Sequence, residues 1–413
     1  MPFPRYARAA VCLAAALGGC SALGHLKPVP LAPDGAPPPA SPLGAFKEQG
    51  PIASAEAWRT ERAPALREAF AQELYGGMPS DYEVEAGAPE LIEAGAYDGL
   101  ARIERVPLTL RFRNSGGETS ELTISLVIAK PNAATGPVPV ILKMEFCWFD
   151  QVYQVKGIGK TGWDCRPGSI GVNAIFYWSL GKYHIKPPIQ EALEQGYAFA
   201  SIHAAEFNAS NSQLAAWAFQ YSRAIDYLET DPALDPTRMA VYGHSRAGKA
   251  ALIAGAFDER IDAVIAHQSG RAGAALNVSE IGEPLSEMAK VYPNWLSEVA
   301  TAQAVAGELD LSIDQHHLLA LLAPRPVLLG HGRRDSWSDP QGAFRAAQGA
   351  DPVYELLGSQ GLTVERLDAF APEADLSYWI RKGTHGETEE DWPAFFAFLG
   401  AHFKPQGATL AAK

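Results

Sequence analysis

From residue 137 to residue 403 the chain alternates short apolar runs with helical patterns, and this alternation limits the possible folds more than any other feature. Residues 137–146 are apolar at almost every position, as expected of a strand buried on both faces. Strand patterns follow at 198–203, 238–243, 263–267, 326–330 and 376–381, with helical patterns at 214–229, 247–256, 314–322, within 342–357, and at 389–403. Repeated βαβ units close a parallel sheet and cover its two faces with helices. Upstream, residues 106–113 and 121–129 alternate apolar and polar side chains, and Asn114-Ser115-Gly116-Gly117 between them supplies the positive-φ positions of a hairpin turn. Antiparallel strands followed by βαβ units predict an α/β protein: a three-layer sandwich with a mostly parallel central sheet and antiparallel N-terminal strands.

The rest of the chain sorts into an export segment, a linker and one large domain. Arg5 and Arg8 precede a short apolar run, 9–17, too short to span a bilayer, so residues 1–19 read as a signal peptide. The run ends Leu17-Gly18-Gly19-Cys20, which resembles the lipobox of bacterial lipoproteins and makes Cys20 the expected acylated residue. On this reading the protein is exported, held in the periplasm or at the outer membrane, and touches the membrane only through its N-terminal lipid. Residues 20–53 carry a run of prolines (Pro28, Pro30, Pro33, Pro37, Pro38, Pro39 and Pro42) and few large apolar side chains, a composition expected of an extended tether. Order is expected from residue 54, where 54–75 has helical spacing with Trp58, Leu66, Phe70 and Leu74 facing inward. The catalytic domain is expected over 54–405, followed by a disordered tail, 406–413.

A chain of 413 residues, 47% of them hydrophobic, can bury a large core. Its net charge of −13 and its scattered cations exclude the basic stripe of a nucleic-acid-binding protein. If Cys12 and Cys20 serve export, Cys147 and Cys165 remain, either as a disulfide or as two buried thiols. Pairing in an oxidising compartment would stabilise the fold by about 3 kcal/mol. The histidines form no convincing metal set, and no cofactor is expected.

The chemistry concentrates in Met239-Ala240-Val241-Tyr242-Gly243-His244-Ser245-Arg246-Ala247-Gly248-Lys249. An apolar strand runs through Gly-x-Ser into a helix rich in Ala and Gly. This is the arrangement of a nucleophile elbow, where small neighbours permit a strained turn that lifts a serine hydroxyl above the sheet. Taken alone, Ser245 could be an ordinary helix N-cap. The usual second glycine is displaced by one position, from 247 to 248. Partners occur in the order Ser…Asp…His expected of α/β-hydrolases. Asp335 follows the strand 326–330, with Asp339 in reserve, and His385 stands between Gly383-Thr384 and Gly386 after the last strand. His385 would take the serine proton, while Asp335 fixes its tautomer and stabilises the imidazolium. His267, His316 and His317 lack this setting and read as packing residues.

Gly243-x-Ser245-Arg246-x-Gly248-Lys249 followed by Ala256-Phe257-Asp258-Glu259-Arg260 resembles the glucuronoyl esterases, carbohydrate esterase family 15, especially the bacterial members. The likeness spans about 60–403 and includes Asp314-Gln315-His316, Ala323-Pro324-Arg325-Pro326, the Asp335-x-Trp337 loop and Lys382-x-Thr384-His385-Gly386. The family cleaves esters between the glucuronic acid of xylan, usually 4-O-methylated, and lignin alcohols. The resemblance implies that Arg246 serves the oxyanion with its N–H and guanidinium. It also implies that Lys249, Glu283 and Trp337 contact the uronic acid. Many members carry a catalytic glutamate after the strand that follows the elbow helix. Here Gln268 stands at that place, within a segment expected to face the substrate, and an amide cannot balance an imidazolium charge. Other members place the acid in the Asp-x-Trp loop, which favours Asp335. The segment around 204–212 is short for the family. The expectation is therefore a monomeric serine esterase acting on glucuronoxylan. The alternatives are a related carboxylic esterase, such as a xylan acetyl esterase, or a glycan-binding lipoprotein with an inactive hydrolase core.

Overall fold

A computed structural model describes residues 27–79, 81–113, 119–160, 162–165, 180–204 and 212–403. The signal peptide, Cys20, the hairpin turn at 114–117, most of the 204–212 segment and the C-terminal tail lie outside the described residues.

Ten strands form one sheet in the order β1-β3-β4-β6-β5-β7-β8-β9-β10, with β2 paired to β3. The N-terminal part is antiparallel: β1 (Tyr82–Ala86) and β2 (Glu90–Ala96) both pair with β3 (Ala101–Arg113), which pairs with β4 (Thr119–Pro131). β5 (Val138–Glu145), β6 (Ala198–His203), β7 (Leu234–His244), β8 (Ala263–His267), β9 (Val327–Gly332) and β10 (Leu376–Arg381) pair with one another in parallel, and β6 joins them to the antiparallel part through β4. Side-chain alternation assigns the two faces. Val140, Leu142, Met239, Val241, Val264, Val327 and Leu329 join one buried cluster, together with Leu66 and Phe70 of the first helical stretch and with three later helices. These are α2 (Gln213–Leu228), α3 (Arg246–Phe257) and α5 (Pro340–Leu356), where α1 (Ala63–Phe70) is the middle of the helical stretch 55–75 and α4 is Gln315–Ala320. Ile141, Ala240, Tyr242, Ile265 and Leu328 join a second cluster under α6 (Asp391–His402), with Trp392, Phe395 and Leu399. Two cores on either side of one sheet are the three layers expected from the near-continuous apolar strands.

The segment 27–53 departs from the tether expected there. It lies on the domain, with Val29, Phe46 and Ile52 buried. Arg62 gives guanidinium hydrogen bonds to the carbonyls of Pro42, Gly44 and Gly50. Val29 N–H donates to the Arg333 carbonyl at 2.8 Å, Arg333 Nε returns a bond to the Val29 carbonyl at 3.1 Å, and Gln341 Nε2 donates to the carbonyls of Pro30 and Ala32. Prolines have no N–H to satisfy, so a few side-chain donors aimed at the carbonyls suffice to seat such a strap on a surface it did not build. Its low apolar content ruled out a core of its own but not docking onto another.

β1 and β2 were also absent from the sequence expectation. Both are largely exposed, so their side chains carry no buried alternation to read. Cys147 and Cys165 are joined by a disulfide, which closes the loop that follows β5.

Candidate active site

The elbow is built by backbone sterics. Ser245 sits between β7 and α3 at φ 57° and ψ −121°, a left-handed conformation that is costly for a residue with a Cβ. Two glycines make room for it. A Cβ at Gly243 would lie 2.1 Å from the Ala247 carbonyl oxygen, and one at Gly248 would lie 2.9 Å from the Gly243 carbonyl oxygen and 3.1 Å from Ser269 Cβ. The displaced glycine thus meets the neighbouring β8 edge, where position 248 is the one that must stay small. Ser245 N–H donates to the His267 carbonyl at 2.8 Å, which ties the turn to β8. Arg246 opens α3, whose first N–H groups point out of the helix end, where a developing negative charge would be stabilised.

Asp335 follows β9 and His385 follows β10, and their side chains meet: His385 Nδ1 and Asp335 Oδ2 are 2.8 Å apart. Asp335 is buried while the His385 ring is about a third exposed, so the pair has a closed end and an open one. Burial alone would raise the Asp335 carboxyl. The His385 charge, their hydrogen bond and the Ser338 hydroxyl outweigh it and hold Asp335 below the usual carboxylate range. The His385 ring packs on His244, the residue before Ser245, at 4.6 Å between centroids. Asp339, the reserve acid, is occupied elsewhere: it caps α5 by accepting from Gly342 N–H at 2.9 Å.

Arg246, attributed to the oxyanion, and Lys249, Glu283 and Trp337, attributed to the uronic acid, cluster beside this pair. Glu283 N–H donates to the Trp337 carbonyl at 3.0 Å, and Trp337 is 42% exposed. Burial pushes the Glu283 carboxyl up against the pull of Lys249, His385, Arg246 and Arg271, so these charges share one neighbourhood. Lys249 is more engaged than a free sugar-binding lysine. Its Nζ donates at 2.6 Å to the carbonyls of Ser269 and Arg271, and burial brings the ammonium down to about 8 despite Glu283. An ammonium has three donors, so one remains for a ligand. The Arg246 guanidinium lies over three rings, Phe146 at 5.6 Å, Tyr292 at 5.6 Å and Trp295 at 5.0 Å, and cation–π attraction fixes its direction. Nothing in the sequence joined those rings to Arg246, because they come from two segments far from it in the chain, one at Phe146 and one at Tyr292 and Trp295.

Gln268 requires a correction. It does not face a substrate: it is 1% exposed, its Oε1 accepts from Gly386 N–H at 2.7 Å, and its Nε2 donates to the Thr384 carbonyl at 3.1 Å. Both ends of the amide are taken up by the backbone on either side of His385.

A serine on a strained strand-to-helix turn, a carboxylate-paired histidine after the last strand and a mostly parallel sheet beneath them define an α/β-hydrolase, a carboxylic ester hydrolase by its site. Comparison with known proteins narrows this. A family model described as glucuronyl esterase, fungi, matches residues 182–358. Carbohydrate esterase MZ0003, from an unknown prokaryotic organism, is 32% identical over 384 residues, which cover 85% of this chain and 86% of that protein. A 4-O-methyl-glucuronoyl methylesterase of Phanerochaete carnosa is 33% identical over 159 residues, 37% of this chain and 39% of its own length. The solved structure of a glucuronoyl esterase from Solibacter usitatus superimposes with a TM-score of 0.71 at 27% identity, covering 90% of this chain and 99% of that one. The chain belongs to carbohydrate esterase family 15, the glucuronoyl esterases.

Proposed function

We propose that this esterase hydrolyses esters of glucuronic acid, above all the 4-O-methylated branch of glucuronoxylan joined to lignin alcohols. Ser245 Oγ attacks the ester carbonyl while His385 takes its proton, and Asp335 stabilises the imidazolium that forms. The oxyanion is met by the Arg246 N–H and its aromatic-caged guanidinium. Collapse expels the alcohol, which leaves with the proton from His385, and the uronoyl group remains on Ser245. Water, deprotonated by His385, then attacks the acyl-enzyme and releases the free uronic acid and Ser245. Lys249 and Glu283 hold the sugar hydroxyls, and the Trp337 ring lies under the pyranose face.

The observation that carries this reading is the convergence of Arg246, Lys249, Glu283 and Trp337 beside the His385–Asp335 pair. A small acetyl group needs none of the last three, so the paired test compares benzyl glucuronate with a simple aryl acetate. Preference for the glucuronate by kcat/KM is the expected result, and equal turnover of both would sink the substrate assignment. The N-terminal sequence supports export as a lipoprotein acylated on Cys20 and held in the periplasm or at the outer membrane. Cys20→Ala should shift the protein from the membrane to the soluble fraction; an intact mass showing unmodified, differently cleaved protein would refute the anchor.

A further inference from the structure

We infer that Gln268 is a positioning residue: it holds His385 in place by gripping the peptide units on both sides of it, and the job requires an amide. The inference rests on the reading of Ser245, His385 and Asp335 as the triad. Gln268 extends β8, its own N–H donating to the Gly330 carbonyl at 2.8 Å and its backbone turning to φ 51°. From there the side chain reaches across the end of β9 to the 383–386 loop. It accepts from Gly386 N–H with one atom and donates to the Thr384 carbonyl with the other. Only a primary amide offers a donor and an acceptor side by side at neutral pH in this shape. The route is kept open on purpose. A Cβ at Gly332 would lie 2.6 Å from Gln268 Nε2, 2.7 Å from the Thr384 oxygen and 3.0 Å from the Gly383 oxygen.

The loop's second support makes the polarity decisive. Arg381, paired through Nε with both oxygens of Asp391, sends Nη2 to the Thr384 carbonyl at 3.0 Å and to the Gly386 carbonyl at 2.6 Å. The Thr384 oxygen therefore takes donors from two sides. A carboxylate at 268 would present lone pairs to it, leave one donor missing and push the loop away. In this chain the amide thus has a task of its own beside the acid at Asp335. The titratable and charged groups around the amide are Arg381 and Asp391 from the β10–α6 side, His267 before it on β8, His331 on β9, Lys249 on α3, and the His385–Asp335 pair.

Two substitutions test this, each followed by kcat and KM on benzyl glucuronate and on an aryl acetate between pH 5 and 9. Gln268→Met keeps length and removes both bonds. It should lower kcat about ten- to a hundredfold, equally on the two esters, with little change in KM, because the damage acts through His385. Gln268→Glu gives the sharper answer. Its acid form can donate to Thr384 and its ionised form cannot, so the kcat ratio of variant to parent should stay below one and rise as pH falls. A carboxylate that served as a second acid would give the opposite slope, with a ratio above one at high pH. That result overturns the inference. So does a pH-independent ratio, which would reduce Gln268 to packing, or an unchanged kcat in Gln268→Met. Thermal midpoints of both variants identify any general loss of folding, in which case the slope for Gln268→Glu decides. If the parent cleaves the acetate but not the glucuronate, the substrate proposal fails while the clamp is still measured on the acetate.

Discussion

Ser245 is held by its chain neighbours, whereas His385 and Asp335 are held by residues from far along the sequence. The elbow draws on Gly243, Ala247 and Gly248, all within three positions of the serine, plus one strand-to-strand bond to His267. The acid–base rim draws on Gln268 and the Arg381–Asp391 pair for the His385 loop, and on bonds from Arg333 and Arg334 N–H to the Arg381 and Gly383 carbonyls for the Asp335 loop. A site half local and half assembled has two modes of failure. Substitutions at the elbow act by steric exclusion within one turn, while those at the rim act by letting a loop drift.

The comparison is broken most severely at the serine. Ser245→Ala should remove turnover by about 10⁵- to 10⁶-fold on every ester without lowering the thermal midpoint, since it relieves no packing. Residual activity within about a hundredfold of the parent would rule the serine out. Next comes the acid. Asp335→Asn should lower kcat about 10⁴-fold by offering His385 the wrong tautomer. Asp339→Asn should leave kcat nearly intact and stability little changed, because the amide oxygen can still accept from Gly342 N–H and cap α5. The reverse pattern would move the triad to Asp339. Lys249→Ala and Glu283→Ala should each cost about ten- to a hundredfold in kcat/KM on a glucuronate ester and far less on an aryl acetate. Equal losses on both would mean damage to the fold.

A pH profile separates the sugar contacts from the triad. With its ammonium brought down to about 8, Lys249 loses its charge as pH rises through that value. Glucuronate kcat/KM should therefore show an alkaline decline near pH 8 that is missing with the acetate and absent from Lys249→Ala. A decline of the same size on both esters would assign it to another group. The smallest effect is expected at the strap. Gln341→Ala removes the bonds to Pro30 and Ala32, so the thermal midpoint should fall by an amount corresponding to about 1–2 kcal/mol. kcat should change less than about threefold. A change as large as that of Asp335→Asn would mean the strap, not the loop's own hydrogen bonds, fixes Asp335.

The same division explains what could be read from the sequence. The elbow was legible because its constraints are consecutive: an apolar strand, Gly-x-Ser and a helix of small residues leave few other geometries. Asp335 and His385 were legible as strand-end residues in the right order, and the parallel strands by their apolar runs. What escaped depends on contacts without a local signature. The rings around Arg246 come from residues 146, 292 and 295. Gln268 looked like a missing carboxylate because sequence shows its identity and not the two peptide groups it reaches. The strap looked like a tether because its partners, Arg62, Arg333 and Gln341, are not among its neighbours in the chain.

The seating of Val29 against Arg333 also bears on which substrates can arrive. An acyl anchor at Cys20 would leave eight residues, 21–28, before the chain is fastened beside the Asp335 loop. Fully extended, that stretch reaches roughly 30 Å. The leash would be a fraction of the one that a free segment up to residue 53 would give, and it would attach at the rim of the cleft and not at its back. The catalytic face would then sit within a few nanometres of the lipid headgroups, which makes the length of the leash, and not the fold alone, a limit on what can reach Ser245.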